Sequence, residues 1–222
     1  MLRFWGDGSQ EARDLVSAIQ VRSTENFNWT FIFILSVIFY IYWSEIQKKN
    51  TEVVCAGLAL YGVHWLYEIC NAVIGRIFGY PLWSVSNKST TFILLIGVCW
   101  ELSMMFSIAG MISFKMLPQD RSKRYFAKNG RKGISCRLMG ALEMALLFAL
   151  FESVLAGTSN HSFIWVYRWW GVIPVFITTY VPFFLASNYV PDMEPKKRRF
   201  FLAGLWGMNA LLLIILIPAG VI

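Results

Sequence analysis

Six apolar runs of about 20 residues constrain this chain most, because a helix of that length spans a lipid bilayer. The runs cover residues 28–45, 53–75, 91–114, 134–156, 164–187 and 200–220. Only 15% of the 222 residues are charged, whereas a soluble domain has roughly 25%. The sequence therefore predicts an all-α, polytopic membrane helix bundle with about six transmembrane helices, forming a single domain over residues 28–222.

Residues 1–27 form a polar N-terminal segment that lacks the apolar core of a signal peptide. Within it, Ala12, Leu15, Val16 and Ile19 recur at helical spacing. This spacing favours a short helix lying on the membrane interface. A solvated, partly disordered tail is the alternative.

The basic residues are concentrated in three connections between apolar runs. The third, fifth and first connections hold eight, four and two of the 20 Lys and Arg residues. Alternating spans place these connections on one side, which the positive-inside rule makes cytoplasmic. Both termini are then predicted on the non-cytoplasmic side, as are the glycosylation sequons at Asn28, Asn87 and Asn160. The net charge of +7 therefore reflects topology, and we expect no nucleic-acid partner.

Four glutamates lie inside the apolar runs, at positions 68, 101, 143 and 152. A charged side chain at the bilayer centre costs roughly 2.5–3.5 kcal/mol on the insertion scale, so such residues usually face the bundle interior and mark a functional site. His64 precedes Glu68 by one helical turn, and Tyr61 and Asn71 extend the same stripe. This helix face is the strongest functional signal in the sequence.

Counting residues along the spans gives the depth of these groups. At 1.5 Å per residue, Glu68 lies about 24 Å from the inner face and Glu101 about 16 Å from the outer face. In a hydrocarbon core roughly 30 Å thick the two depths overlap. The sequence therefore predicts that His64, Glu68 and Glu101 meet in one buried cavity, where they exchange protons with a bound molecule.

The other polar residues inside the spans allow more than one interpretation. Glu143 and Glu152 are nine residues apart and point to opposite sides of their helix. Glu143 is predicted to join the site, whereas Glu152, near the outer end, is predicted to be structural and neutralised by Arg76 or Arg168. Asn209 either bridges helices or takes part in the chemistry. The predicted substrate-binding residues are Tyr61, Asn71, Trp100, Glu143 and Tyr180.

No metal or cofactor is predicted. The paired Glu-x-x-His motif of carboxylate-bridged metal sites is absent, as are GxGxxG, P-loop and GxSxG motifs. The four cysteines are scattered without a CxxC pair, and we interpret them as small apolar residues. The aromatic residues are interpreted mainly as interface and lipid-facing side chains, with a ring-lined pocket as the alternative.

Three segments carry a resemblance to a known family. The HWLYE stretch at 64–68, the glutamate of GVCWELSMM and the asparagine of MNALLLIILIPAG resemble the emopamil-binding (EXPERA-type) sterol isomerases. The resemblance implies a small helix bundle that moves a sterol double bond by protonation and deprotonation, with His64, Glu68, Glu101 and Asn209 as catalytic residues. The chain departs from that family in having one more helix between Glu101 and Asn209 and a tighter spacing between positions 64 and 101.

A second resemblance is to the small membrane-bound terpene cyclases of meroterpenoid pathways, through the Trp100–Glu101 pair. Their second, aspartate acid has no counterpart inside a span of this chain. Both resemblances imply carboxylate-mediated protonation of a hydrophobic sterol or isoprenoid substrate. The leading hypothesis is therefore an intramembrane isomerase or cyclase. A proton- or cation-coupled transporter or channel and a non-catalytic membrane subunit remain alternatives.

Overall fold

The computed structural model describes residues 2–25, 27, 29–86, 92–128, 132–158 and 162–222, so the three sequon asparagines lie outside the described residues. The helices are α1 (Gln10–Ser17), α2 (Thr30–Gln47), α3 (Thr51–Phe78), α4 (Trp100–Met116), α5 (Cys136–Ala156), α6 (Val172–Pro174), α7 (Val181–Tyr189) and α8 (Pro195–Leu216). The strands are β1 (Trp83–Val85), β2 (Ile93–Leu95), β3 (Val98–Cys99), β4 (Arg124–Tyr125), β5 (Ile134–Ser135) and β6 (Phe163–Trp165).

Within the described ranges, five helical stretches are long and apolar enough to cross a membrane. They are α2, α3, α5, α8 and the stretch Val172–Asp192, which contains α6 and α7 and is called the segmented span below. Large apolar side chains such as Phe33, Phe39 and Leu147 are exposed on these helices, as expected for surfaces that contact lipid. The predicted helical membrane bundle is confirmed.

The third predicted span, residues 91–114, is wrong in its first part. Strands β2 and β3 form an antiparallel hairpin there, and α4 begins only at Trp100 and has 17 residues. Leu95 and Val98 in the hairpin are buried against Ile69 of α3. A continuous apolar run fits a buried strand as well as a helix, and periodicity alone does not separate them. Glu101 consequently lies in the first turn of α4 and not in the middle of a span.

Short two-stranded ribbons connect the helices, a feature that the helical periodicity did not predict. β1 pairs with β6, β2 with β3, and β4 with β5, all antiparallel. The β1–β6 ribbon joins the connection after α3 to the connection after α5, and places Trp83 directly opposite Trp165. Directly opposed residues project from the same face of a ribbon.

Pro174 and Pro182 predict that the fifth apolar run bends or loosens, and the segmented span departs from regular helix between them. Residues Val175–Tyr180 form a π-helical turn, and the N–H of Val181 donates to the carbonyl of Phe176. Pro182 follows directly and has no N–H to donate, which favours altered bonding at this point. Such π-helical insertions occur frequently at functional sites.

The N-terminal segment contains the predicted short helix and packs onto one end of the bundle. Ser9 caps α1 by accepting a hydrogen bond from the N–H of Ala12. Ala12 and Val16 are buried against Ile164 and Val166, next to the β1–β6 ribbon. The residues before α1 also bind the bundle, since the N–H of Asp7 donates to the carbonyl of Trp165 at 3.0 Å.

Residues from the three basic connections lie together at the other end of the bundle, called the basic end below. Arg121, in the connection after α4, contacts Asp192 at the end of the segmented span (3.1 Å) and Glu52 at the start of α3 (3.3 Å). Lys115 and Glu45 join the ends of α4 and α2 at 2.5 Å. Helices α3, α5 and α8 therefore all start at the basic end.

Candidate active site

A small cavity lies between α3, α4, α5 and the segmented span, next to the β1–β6 ribbon. Its volume is about 30 Å³. The polar side chains that line it are His64, Glu68, Glu152, Thr179 and Tyr180. The phenylalanine rings that line it are Phe106, Phe148, Phe151, Phe163 and Phe183. The cavity therefore combines several ionisable groups with aromatic walls.

His64 and Glu68 contribute one side of the cavity from α3. Nε2 of His64 lies 3.4 Å from Oε1 of Glu68, which confirms the predicted contact one helical turn apart. The indole N–H of Trp83 donates to both Glu68 oxygens, at 3.2 and 3.3 Å. Both His64 and Glu68 are almost completely buried. Glu68 is thus desolvated; the indole of Trp83 holds it by hydrogen bonds, and the His64 ring lies beside it.

Glu152 contributes the opposite side from α5. The indole N–H of Trp165 donates to Oε1 of Glu152 at 2.5 Å, and the hydroxyl of Tyr180 donates to Oε2. The prediction that Glu152 is neutralised by an arginine near the outer end is therefore wrong. Because buried polar groups need hydrogen-bond partners, this carboxyl is fixed by Trp165 and Tyr180 in place of an ion pair.

The β1–β6 ribbon links the two glutamates. The cross-strand partners Trp83 and Trp165 each donate an indole N–H to one of the two carboxyl groups. Asn71 fixes the start of β1, because its side-chain oxygen accepts from the N–H of Leu82 (2.8 Å) and its nitrogen donates to the carbonyl of Trp83 (2.9 Å). The ribbon and its neighbours therefore set the positions of both acids.

The two carboxyl groups also lie at matching depth. Glu68 is 17 residues after the start of α3 and Glu152 is 16 residues after the start of α5, which places them about 26 and 24 Å from the basic end. Both side chains line the cavity. Two carboxyl groups, one from α3 and one from α5, therefore reach the same apolar cavity.

Aromatic rings enclose the histidine and the tyrosine. The ring of Phe106 stacks on His64 with centroids 4.2 Å apart and lies 6.2 Å from the ring of Tyr180. Phe183 meets His64 and Tyr180 edge to face, at 5.8 Å in both cases. Aromatic rings therefore line this small cavity, and the use of such rings by a carbocation or a flat lipid stays a prediction. Aromatic faces attract positive charge, so these walls suit a cationic intermediate.

Glu101 and Trp100 lie in the first turn of α4, which reaches this cavity through Leu102. Neither is among the residues that line it, whereas the next residue, Leu102, is. Trp100 instead stacks on Phe31 of α2, with centroids 5.7 Å apart. This cavity therefore does not include Glu101, which was predicted to share it with Glu68; the first turn of α4 lines the cavity through Leu102.

Glu143 also lies elsewhere. It is exposed on α5 and borders a separate pocket near the basic end together with Tyr125 and Cys136. Glu143 and Glu152 do point to different sides of α5, but Glu152 lines the cavity and Glu143, which was predicted to do so, does not. Burial of Ala145, Ala149 and Glu152 shows which face of α5 points inward.

Three further predicted residues support the neighbouring packing. The hydroxyl of Tyr61 is hydrogen-bonded to that of Ser103 at 2.8 Å, and Asn71 holds β1 as described above. The side-chain nitrogen of Asn209 donates to the carbonyl of Gly62 at 2.7 Å and bridges α8 to α3. A Cβ at Gly62 would meet Leu205 at 2.7 Å, so the missing side chain permits this close approach. Of the predicted substrate-binding residues, only Tyr180 lines the cavity.

Sequence reasoning missed Glu152 as a member of the site, along with Trp83, Trp165 and Thr179. The depth of each residue along its helix was an available signal, because Glu68 and Glu152 lie at almost equal distances from the basic ends of α3 and α5. The tryptophans lie in connections whose strand pairing no sequence pattern revealed. Across the described residues, no group of three or more His, Cys, Asp or Glu side chains is arranged to hold a metal ion.

Comparison with known proteins places the chain in a family. Residues 10–218 match the profile of a family described as an uncharacterized membrane protein family. A protein of Archaeoglobus fulgidus, described as uncharacterized, is 34% identical over 200 residues, which cover 88% of this chain and 90% of that protein. No solved structure matches the chain. With nearly its whole length matched, and with helices that can span a bilayer, the chain belongs to this membrane protein family.

Proposed function

We propose that the protein is an intramembrane isomerase or cyclase, which protonates and deprotonates a sterol or isoprenoid lipid at the cavity between Glu68 and Glu152. The observation that carries the proposal is the convergence of two buried carboxyl groups, from α3 and α5, on one cavity with aromatic walls. The resemblance of HWLYE to the sterol isomerases agrees with His64 and Glu68 as part of such a site. Glu152 takes the place that the resemblance gave to Glu101.

The proposed reaction needs only a proton and the substrate. One carboxyl group transfers its proton to a carbon of a C=C bond, which leaves a carbocation on the neighbouring carbon. In an isomerase the other carboxylate, or the same one, removes a proton from an adjacent carbon and forms the new double bond. The rings of Phe106 and Phe183 stabilise the cation. His64, 3.4 Å from Glu68, returns the proton to its starting position.

In the proposed reaction the substrate enters from the lipid between α4 and α5. Leu102 and Met105 line it from α4, and Phe148, Phe151 and Leu155 line it from α5. Phe151 is 52% exposed on the outer surface of the bundle. A space of about 30 Å³ holds one water molecule, whereas ligand pockets have roughly 300–1,000 Å³. Substrate binding therefore requires Phe151 and Met105 to move aside.

Turnover in D₂O tests the proposal on a mixture of lipids, so that no single substrate has to be chosen. The purified protein is incubated in D₂O with a total lipid extract from the organism that encodes it, and the lipids are analysed by mass spectrometry. Transfer of a deuteron to carbon is expected to yield a lipid that is 1 Da heavier, because the proton removed comes from a different carbon. Heat-denatured protein serves as the blank. Unlabelled lipids in the presence of folded protein would contradict the proposal.

The small volume of the cavity favours a second candidate, a non-catalytic subunit whose polar centre stabilises the bundle. In that role the Glu68 and Glu152 carboxyl groups would serve only as hydrogen-bond acceptors for Trp83, Trp165 and Tyr180. This candidate gives no deuterium labelling, and the glutamine variants discussed below would alter stability alone.

We further propose that the basic end faces the cytoplasm and that both termini face away from it, because Lys and Arg accumulate in cytoplasmic connections. Single-cysteine variants Lys128→Cys and Glu11→Cys, at opposite ends of the bundle, test this orientation in intact cells. A membrane-impermeant maleimide is expected to label the Glu11→Cys variant and to reach the Lys128→Cys variant only after permeabilisation. The reverse pattern would show the opposite orientation.

A further inference from the structure

Three polar atoms at the cavity have no hydrogen-bond partner among the described residues. They are Nδ1 and Nε2 of His64 and the hydroxyl oxygen of Thr179. The 3.4 Å contact between His64 and Glu68 lacks the alignment of a hydrogen bond, so it does not satisfy the ring nitrogen. Both residues are more than nine-tenths buried, with exposures of 1% and 7%. Nearly all buried polar groups in proteins are paired, so these atoms indicate a missing partner.

The chemistry of these atoms defines what the partner is. A neutral imidazole offers one donor and one acceptor, and a threonine hydroxyl offers both functions on a single oxygen. The partner must therefore both accept and donate hydrogen bonds within one small space. The cavity volume of about 30 Å³ exceeds the roughly 10–15 Å³ that one water-sized group requires. A single oxygen that bears a hydrogen satisfies both conditions.

We propose that the cavity binds one hydroxyl-type oxygen between His64 and Thr179, either the hydroxyl of a ligand or a water molecule. Where the oxygen belongs to the substrate, this inference rests on the proposed function, and it identifies the substrate as an isoprenoid that bears a hydroxyl group. The hydroxyl then anchors beside Glu68 and Glu152, and the hydrocarbon chain extends between α4 and α5 towards the lipid. If the oxygen is water, it connects the two polar sides of the cavity.

The substitution Thr179→Val tests the inference through the sign of its effect on stability. Valine has the shape of threonine without the hydroxyl. If the cavity is dry, the substitution removes an unsatisfied hydroxyl and raises the melting temperature. If an oxygen is bound there, the substitution leaves that oxygen short of one partner and lowers the melting temperature. We expect a decrease for Thr179→Val and recovery in Thr179→Ser, which retains the hydroxyl.

Thr178→Val is the matched control, because Thr178 is the adjacent residue in the same π-helical turn. Thr178 is exposed, and its hydroxyl donates to the carbonyl of Pro174 at 2.7 Å outside the cavity. Its substitution removes one hydrogen bond outside the cavity and reports how far such a loss in this turn lowers the melting temperature. A decrease for Thr179→Val of at least that size shows that the Thr179 hydroxyl has a partner in the cavity, because Thr179 has no partner among the residues that the structure describes.

A comparison of two ligands distinguishes the source of the oxygen. The probes are a C20 prenyl alcohol and its methyl ether, with binding followed by tryptophan fluorescence. A ligand hydroxyl predicts that the wild type prefers the alcohol by about 2- to 12-fold, the equivalent of one net hydrogen bond, and that Thr179→Val loses this preference. If the oxygen is water, we expect both probes to bind equally well. Thr179→Val should then lower the melting temperature of the protein even when no probe is present.

The inference is overturned if Thr179→Val is at least as stable as the wild type and neither protein prefers the alcohol. That result is independent of the D₂O experiment, because it measures stability and binding and not turnover. Conversely, the wild type could label no lipid in D₂O while Thr179→Val still lowers the melting temperature. That result would support the oxygen site and contradict the proposed catalytic function.

Discussion

Replacing Glu152 with glutamine is expected to lower the rate of deuterium incorporation about 10²- to 10⁴-fold while the protein still folds. Glutamine retains an oxygen that accepts from Trp165, and its amide nitrogen donates to the hydroxyl oxygen of Tyr180. The group loses its ability to exchange a proton, but its shape and most of its hydrogen bonds remain. Rate per folded molecule, with folding checked by size-exclusion chromatography and melting temperature, is the required measurement.

Glu68→Gln is expected to have an effect of similar size, because Glu68 lies on the opposite side of the same cavity. Glu143→Gln is the matched control, since Glu143 lies on the same helix as Glu152 but borders a different pocket. Its rate should equal that of the wild type. If Glu68→Gln and Glu152→Gln fold and label lipid at the wild-type rate, the acid–base role of the cavity is refuted.

Glu101→Gln separates the assignment based on family resemblance from the one based on the structure. The resemblance makes Glu101 a catalytic acid, whereas the structure gives its position in the cavity to Glu152. We therefore expect Glu101→Gln to retain most of the wild-type rate. A loss as large as that of Glu152→Gln would return Glu101 to the site.

Gly97→Ala is expected to have the largest effect among packing substitutions near the site. Gly97 lies in the turn between β2 and β3, against the side chains that hold Glu68. A Cβ there would approach Oε2 of Glu68 at 2.3 Å, Nε1 of Trp83 at 2.5 Å and Nδ2 of Asn71 at 2.6 Å. Because these groups are buried and hydrogen-bonded, they have little freedom to move. Overpacking of this kind costs about 1–3 kcal/mol.

The Gly97→Ala variant should therefore melt at a lower temperature and also label lipid more slowly, since Glu68 and Trp83 are displaced from each other. Gly207→Ala is the control, because a Cβ at Gly207 on α8 meets nothing within 4 Å. That substitution is expected to be neutral or slightly stabilising, as alanine is favoured over glycine within helices. Equal melting temperatures for the two variants would contradict the close packing of the hairpin against Glu68.

The sequence by itself determined the membrane-spanning character of the chain and most of its helices. Apolar runs of about 20 residues have few alternatives to a spanning helix, since every backbone N–H and C=O in lipid must be paired within the structure. The contact between His64 and Glu68 followed from the same regularity, because residues four apart in a helix are neighbours. The break in the segmented span followed from its prolines, whose effect on a helix is local.

Only the tertiary structure decided which carboxyl groups share the cavity. The run that contains Glu101 begins as the β2–β3 hairpin, because Leu95 and Val98 gain burial against Ile69, and this burial depends on residues distant in sequence. Glu152 joins Glu68 because the pairing of Trp83 with Trp165 brings together two connections whose paired tryptophans are 82 positions apart in the sequence. Periodicity within a helix reports which residues share a face, but it does not report which face of another helix they meet.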